Sequence, residues 1–244
     1  MNVDLTAEAL ILASTKMLAA TEPNRFFILP IGLFLVLTAW LAFYAYIQAR
    51  RRAFIRTFAW PPGLINQLRR EHPALSRNNI DQIDRGLRQF FLAYLNGGYR
   101  PVSMPSVAAD ELWHHFILYT REYDAFCRQA FGQFLHHRPA AVLTTSETRT
   151  NEGLRRVWWH ACKLEGINPQ AAAALPLLFA LDRDVKFPGG HVYHPDCDAL
   201  RRHGVHGGQC GGDFTSTSFD GTTDGLGDGS GDGGGDGGGG CGGD

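Results

Sequence analysis

Beyond Arg202 the chain contains no lysine or arginine, and between Phe26 and Ile47 it contains no charged residue of either sign. Cysteine is scarce, with five in 244 residues. That odd, small number argues against a disulfide-stapled fold, and the roughly 150 residues after the apolar run are enough to bury a core without staples. Gly-x-Ser-x-Gly, a P-loop, the dinucleotide-binding glycine fingerprint and His-Glu-x-x-His are all missing. The common hydrolase, NTPase and dehydrogenase routes therefore have no support. The formal net charge of −1 speaks against a strongly basic nucleic-acid binder, and no nucleic acid is expected as a partner.

The mild average charge conceals three different segments. From Gly204 onward lie 19 of the 29 glycines, and seven aspartates fall between Asp213 and Asp244, so residues 1–202 carry +6 and the remainder is an acidic tail. Such a tail has too little apolar area to offset the entropy of ordering glycine, and it is expected to be disordered over residues 201–244.

The run Phe26–Ile47 is 22 residues long. As a helix it spans about 33 Å, against a hydrocarbon core of about 30 Å. It predicts one transmembrane helix, with Trp40, Tyr44 and Tyr46 gathered toward one end and Arg50, Arg51, Arg52 and Arg56 following. A cleaved signal peptide needs a basic start and a small-residue cleavage site, whereas this chain begins with Asp4 and Glu8 and follows its run with arginines. Only Lys16 and Arg25 are basic before the run. The positive-inside rule then places the N-terminus outside and the C-terminal domain in the cytoplasm, with the lipid bilayer as a partner. Residues 1–25 read as a short N-terminal segment and 48–60 as a basic juxtamembrane linker.

Residues 61–200 read as an all-α domain, a bundle of about five helices, because no stretch sustains a two-residue alternation. Pro61 and Pro62 open a short helix through Glu71. Ser76 or Asn78 opens a second, which carries Ile80, Ile83, Leu87, Phe90, Phe91 and Tyr94 at helical spacing and stops at Gly97 and Gly98. Ser106 caps a third, expected to run from Val107 to the region of Ala130. A fourth runs from Asn151 to Glu165 with Gly166 as terminator, and Asn168 with Pro169 predicts the start of a fifth that ends near Leu181.

The chemistry-bearing residues concentrate in SVAADELWHHFILYTREYDAFCRQAFGQFLHHRP, residues 106–139. Asp110 and His114 are four apart and share a helix face, the geometry in which a carboxylate orients an imidazole for metal binding or proton transfer. On a straight helix Cys127 sits about 140° from His114, so it reads as a buried core thiol beside Trp113, Phe116 and Tyr123. His136 and His137 can fold back toward His114 only if the chain turns near Gly132. Asp110, His114 and His136 are thus the first candidate metal ligands. The structural alternative is a histidine capped by Asp110 and packed among aromatics.

This stretch resembles the glycine-rich-domain-containing protein-like family, whose hallmark is Asp-x-x-Trp-His-x-His followed by a Tyr, a Cys and a later His. Asp110, Trp113, His114, Tyr123, Cys127 and His136 match it, Phe116 stands at the family's second histidine, and His115 lies beside it. The resemblance covers roughly residues 60–200. It implies a helical body followed by a glycine-rich tail, and no settled activity.

A second cluster, HVYHPDCDALRRHGVHGGQC, offers His191, His194 and Cys197 as soft ligands at close spacing, with His203, His206 and Cys210 following. Zinc or another divalent metal suits that set. His160 and Cys162, near the Trp158 stripe, read as core or near-core residues.

Three functions fit these observations. One is a membrane-anchored helical module that binds a protein partner or a metal at a His-rich site without turnover. Another is a metal-dependent enzyme that uses Asp110, His114 and His136 around one ion with water as fourth ligand. The third is a scaffold whose Gly/Asp-rich tail is a flexible interaction tether.

Overall fold

A computed structural model describes residues 25–137, 152–195 and 209–210. The chain divides into two units, residues 1–51 and 52–244. The first contains most of helix α1, Arg25–Thr57, whose side chains from Ile31 to Tyr46 are exposed along its length. This helix is long and apolar enough to cross a membrane. Trp40 stacks on Tyr44, and the Arg50 guanidinium lies over the Tyr46 ring. Helical structure continues ten residues past Ile47, so the stretch expected to be a linker from residue 48 is helical as far as Thr57.

The second unit is mostly helical and is built around α3, Arg77–Asn96, whose N-terminus is capped by the Ser76 hydroxyl accepting from the Asn79 N–H at 3.1 Å. Its apolar residues, Ile80, Ile83, Leu87, Phe90 and Phe91 among them, are fully buried. Around α3 pack α4 (Val107–Leu118), α6 (Glu152–Glu165) and α7 (Leu177–Val185). The short α2, Leu64–Glu71, packs on α4, and α5 (Thr120–Ala130) folds back on it. Arg88 of α3 receives the end of α1: its guanidinium donates to the carbonyls of Ile55 at 2.7 Å and Phe58 at 2.8 Å. A cation there satisfies carbonyls that a helix terminus leaves open.

Three further sequence expectations change. The helix expected over Val107–Ala130 is two helices, broken at Tyr119, where ψ is 64° and the N–H reaches back to the Phe116 carbonyl. No glycine or proline marks the place. Packing supplies the reason: on a straight helix Phe116 and Phe126 would be about 15 Å apart along the axis. The break brings their rings to 5.4 Å, with Tyr123 at 5.2 Å from Phe116.

The helix expected to start at Asn168 starts instead at Leu177. Asn168 makes a local turn, its side chain accepting from the Gln170 N–H, and the Trp158 indole holds the Pro169 carbonyl. The open N–H groups of α7 are met by residues distant in sequence: Glu165 accepts from Leu177 at 2.7 Å and Gln89 from Leu178 at 2.9 Å. The all-α expectation also gains a small exception, a two-residue parallel pair of β1 (Tyr193–His194) and β2 (Gln209–Cys210). Gln209 and Cys210, placed in the expected disordered tail, thus have strand partners, while the rest of residues 201–244 lies outside the described residues.

Candidate metal site at Asp110, His114 and His137

Helix α4 is fixed at its start by two carboxylate or hydroxyl caps. Ser106 accepts from the Ala109 N–H at 3.1 Å. Asp182, buried on α7, accepts from the Ser106 hydroxyl at 2.6 Å and from the backbone N–H groups of Val107 at 2.8 Å and Ala108 at 3.1 Å. One turn further, Asp110 enters the site from the N-terminal end of α4, where the helix dipole favours a carboxylate.

His114 follows one turn after Asp110. Its Nδ1 lies 2.8 Å from the Asp110 carbonyl, and since a carbonyl can only accept, Nδ1 donates this hydrogen bond. The same nitrogen lies 3.4 Å from the Asp110 carboxylate. The third group is His137, whose Nε2 donates to Asp110 Oδ1 at 3.0 Å. Its ring centroid is 4.2 Å from that of His114 and 4.7 Å from that of Trp113. Ligand atoms of Asp110, His114 and His137 all lie within 4.8 Å of one another. The cluster opens to solvent on the His114 side, its side chain being 51 % exposed against 32 % for Asp110 and 16 % for His137.

The path to His137 runs through the aromatic core. After α5 the chain reverses at Gly132, with φ 77°. The buried Tyr123 hydroxyl accepts from the Trp113 indole at 3.1 Å and donates to the Leu135 carbonyl at 2.5 Å. That chain of bonds pins the loop two residues before His137. Burial pushes the Tyr123 phenol far above its ordinary value, so it stays a hydroxyl at every relevant pH. Cys127 lies fully buried beside it, its thiol also pushed up by burial, and it stays a core residue as expected.

Among the sequence candidates, then, the structure brings Asp110 and His114 together, and the partner it adds is His137. His136 points away, exposed, with its ring 4.8 Å from Phe134. His114 is not packed among aromatics; it stands at the surface. In the second cluster, the His191 N–H donates to Asp182 at 2.9 Å and its ring lies 6.2 Å from Tyr193. His194 pairs in register with Cys210, and Cys197 lies outside the described residues. Cys162 is fully buried, its thiol pushed up to about 12 by desolvation, with Glu165 adding to it. Sequence reasoning passed over Glu71, Glu111 and His115, whose ligand atoms also converge. The signal was present: Glu111 and His115 repeat the Asp110–His114 spacing one residue later.

A family model described as UCP032817-like matches residues 50–214. The chain belongs to the UCP032817-like family. The UCP032817-like match takes in every helix from α2 to α7, both strands and all the residues of the site, and it begins after the apolar run. No curated protein and no solved structure matches the chain.

Proposed function

We propose that the protein is a membrane-anchored helical module whose body holds a divalent metal ion at Asp110, His114 and His137. One observation carries this reading: a carboxylate and two imidazoles, brought from one helix and a pinned loop, converge within 4.8 Å with one face open to solvent. Donors at that spacing close around an ion about 2.0–2.2 Å from each with small side-chain rotations. The hydrogen bond from His114 Nδ1 to the Asp110 carbonyl favours the tautomer a metal needs, with Nε2 bare. Two imidazoles and one carboxylate suit zinc or ferrous iron.

Of the residues that carry the resemblance to the glycine-rich-domain-containing protein-like family, Asp110, Trp113, His114 and Tyr123 belong to the site or its support, whereas His136 stands away from it and His137 takes its place. The exposed apolar side chains of α1 support a single membrane crossing. The arginines after the run, against Lys16 and Arg25 before it, support a cytoplasmic body, and a reporter fused at Asp244 is expected to behave as cytoplasmic. The free, buried thiols of Cys127 and Cys162 fit a reducing compartment.

A second reading is favoured by the exposure of His114. Three protein ligands on one side leave coordination positions for water and a substrate, so the same ion could serve a metal-dependent enzyme. The Gly/Asp-rich tail is, on either reading, a tether that reaches a basic partner. Metal analysis of the detergent-solubilised full chain, purified without a histidine tag, tests the central claim. Bound zinc or iron that falls at least tenfold in affinity in Asp110→Asn supports it. Metal content unchanged by Asp110→Asn sinks it.

A further inference from the structure

Helix α4 carries two carboxylate–imidazole couples in consecutive register, Asp110 with His114 and Glu111 with His115. Consecutive helical residues point about 100° apart, so the second couple faces a different neighbour. That neighbour is the C-terminal end of α2. There Glu71, the last residue of α2, places Oε2 2.9 Å from His115 Nε2, and His72 places Nε2 2.6 Å from Glu111 Oε1. Ligand atoms of Glu71, Glu111 and His115 all lie within 4.8 Å of one another.

We infer that Glu71, Glu111 and His115 form a second divalent-cation site, separate from the one at Asp110. Two carboxylates around one neutral imidazole give a doubly negative donor set, which suits a hard or borderline ion such as manganese, ferrous iron or zinc.

Three further observations point to a cation at this place. Glu71 sits at the C-terminal end of α2, where the open carbonyls already make the potential negative and a carboxylate is unfavourable without a positive partner. His115 is buried to 9 % exposure, and of its two ring nitrogens Nε2 is the one with a partner, the Glu71 carboxylate at 2.9 Å, so the ring turns its paired edge toward the cluster. Finally, Glu111 is braced from behind. The His72 ring that bonds it packs 4.6 Å from Phe187, which fixes a ligating carboxylate as an outer hydrogen bond does in built metal sites. Without a metal, the Nε2–H of His115 donates a hydrogen bond to the Glu71 carboxylate. With one, the lone pair of Nε2 meets the ion and the proton moves to Nδ1. The Glu71 side chain, 44 % exposed, leaves a way in.

The test uses the full chain in detergent, stripped with a chelator and titrated with Mn2+ and with Zn2+ alone. Glu71→Gln changes a half-exposed side chain and Glu111→Gln keeps an acceptor for His72, so both are expected to fold, which circular dichroism checks. The expected result is that each variant lowers the number of ions bound by one, or lowers the affinity of one ion at least tenfold, while the ion lost in Asp110→Asn is retained. If the Glu71→Gln/Glu111→Gln double variant binds the same number of ions with the same affinities as wild type, the site does not exist. Loss in the glutamate variants alone, with Asp110→Asn unchanged, would uphold this site and remove the one at Asp110. Loss of a single shared ion in all three variants would overturn the claim of separate sites.

Discussion

The Trp113 indole N–H donates to the Tyr123 hydroxyl at 3.1 Å, although the two residues belong to different helices, and the hydroxyl passes a hydrogen bond on to the Leu135 carbonyl. Helix α4, helix α5 and the loop that bears His137 are joined at this one oxygen. Tyr123→Phe removes it and leaves a buried donor and a buried acceptor without partners, at a cost of about 1–3 kcal/mol. Chemical denaturation should show that loss. It should be accompanied by weaker metal binding at Asp110, because His137 is no longer tethered. A variant with lower stability but unchanged metal affinity would mean that the relay does not position His137.

Asp182 ties α7 to the start of α4. Its carboxylate accepts four hydrogen bonds, from the Ser106 hydroxyl and from the N–H groups of Val107, Ala108 and His191. Asp182→Asn replaces one accepting oxygen by a donor and removes the charge, so destabilisation of about 3 kcal/mol is expected by urea titration. Gly190 makes an independent check. A Cβ there would meet Asp182 Cβ at 2.6 Å, so Gly190→Ala must displace the carboxylate and should destabilise by about 1–3 kcal/mol.

Much of this arrangement is written locally. Ser76 and Ser106 cap their helices through their own hydroxyls, Gly166 closes α6 with φ 71°, and the buried stripe of α3 follows the apolar spacing residue by residue. What local pattern does not carry is anything decided across the core. The break at Tyr119 has no sequence mark because it exists to let Phe116 meet Phe126. The start of α7 is set by Gln89 and Glu165, distant along the chain, and not by the good local cap at Asn168. The site divides in the same way. Asp110 and His114 are legible because they lie one turn apart, whereas the choice of His137 over its neighbour depends on how Tyr123 holds Leu135.

His160 makes stability depend on pH in a known direction. Burial, with the Arg156 charge second, depresses its pKa from 6.5 to about 4. Between those values the unfolded chain binds a proton that the folded chain refuses, so stability rises with pH. It is full above about 6.5, falls as the pH drops toward about 4, and levels off below; the loss is on the order of 3 kcal/mol at most. Denaturation midpoints measured from pH 4 to 7 should show this slope, and His160→Gln should flatten it. An equal slope in the variant would assign the effect to other groups.

His136 and His137 offer the sharpest comparison at the metal site, because they are adjacent, chemically identical and differently placed. His137 reaches the Asp110 carboxylate at 3.0 Å and lies against the Trp113 ring, while His136 is exposed beside Phe134. His137→Ala should therefore remove one of three ligands and lower zinc affinity at least tenfold, whereas His136→Ala should leave it within about twofold. Truncating the exposed His136 should also leave stability within about 0.5 kcal/mol, since it makes no buried contact. Loss of His137 should cost more, because its ring packs on Trp113. Competition with a chromophoric chelator reads the affinities directly, and denaturation separates them from unfolding. If the two variants lose zinc equally, the loop does not hold His137 in the orientation described. If His136→Ala alone loses it, the ligand set is the one that the sequence spacing suggested, Asp110 with His114 and His136.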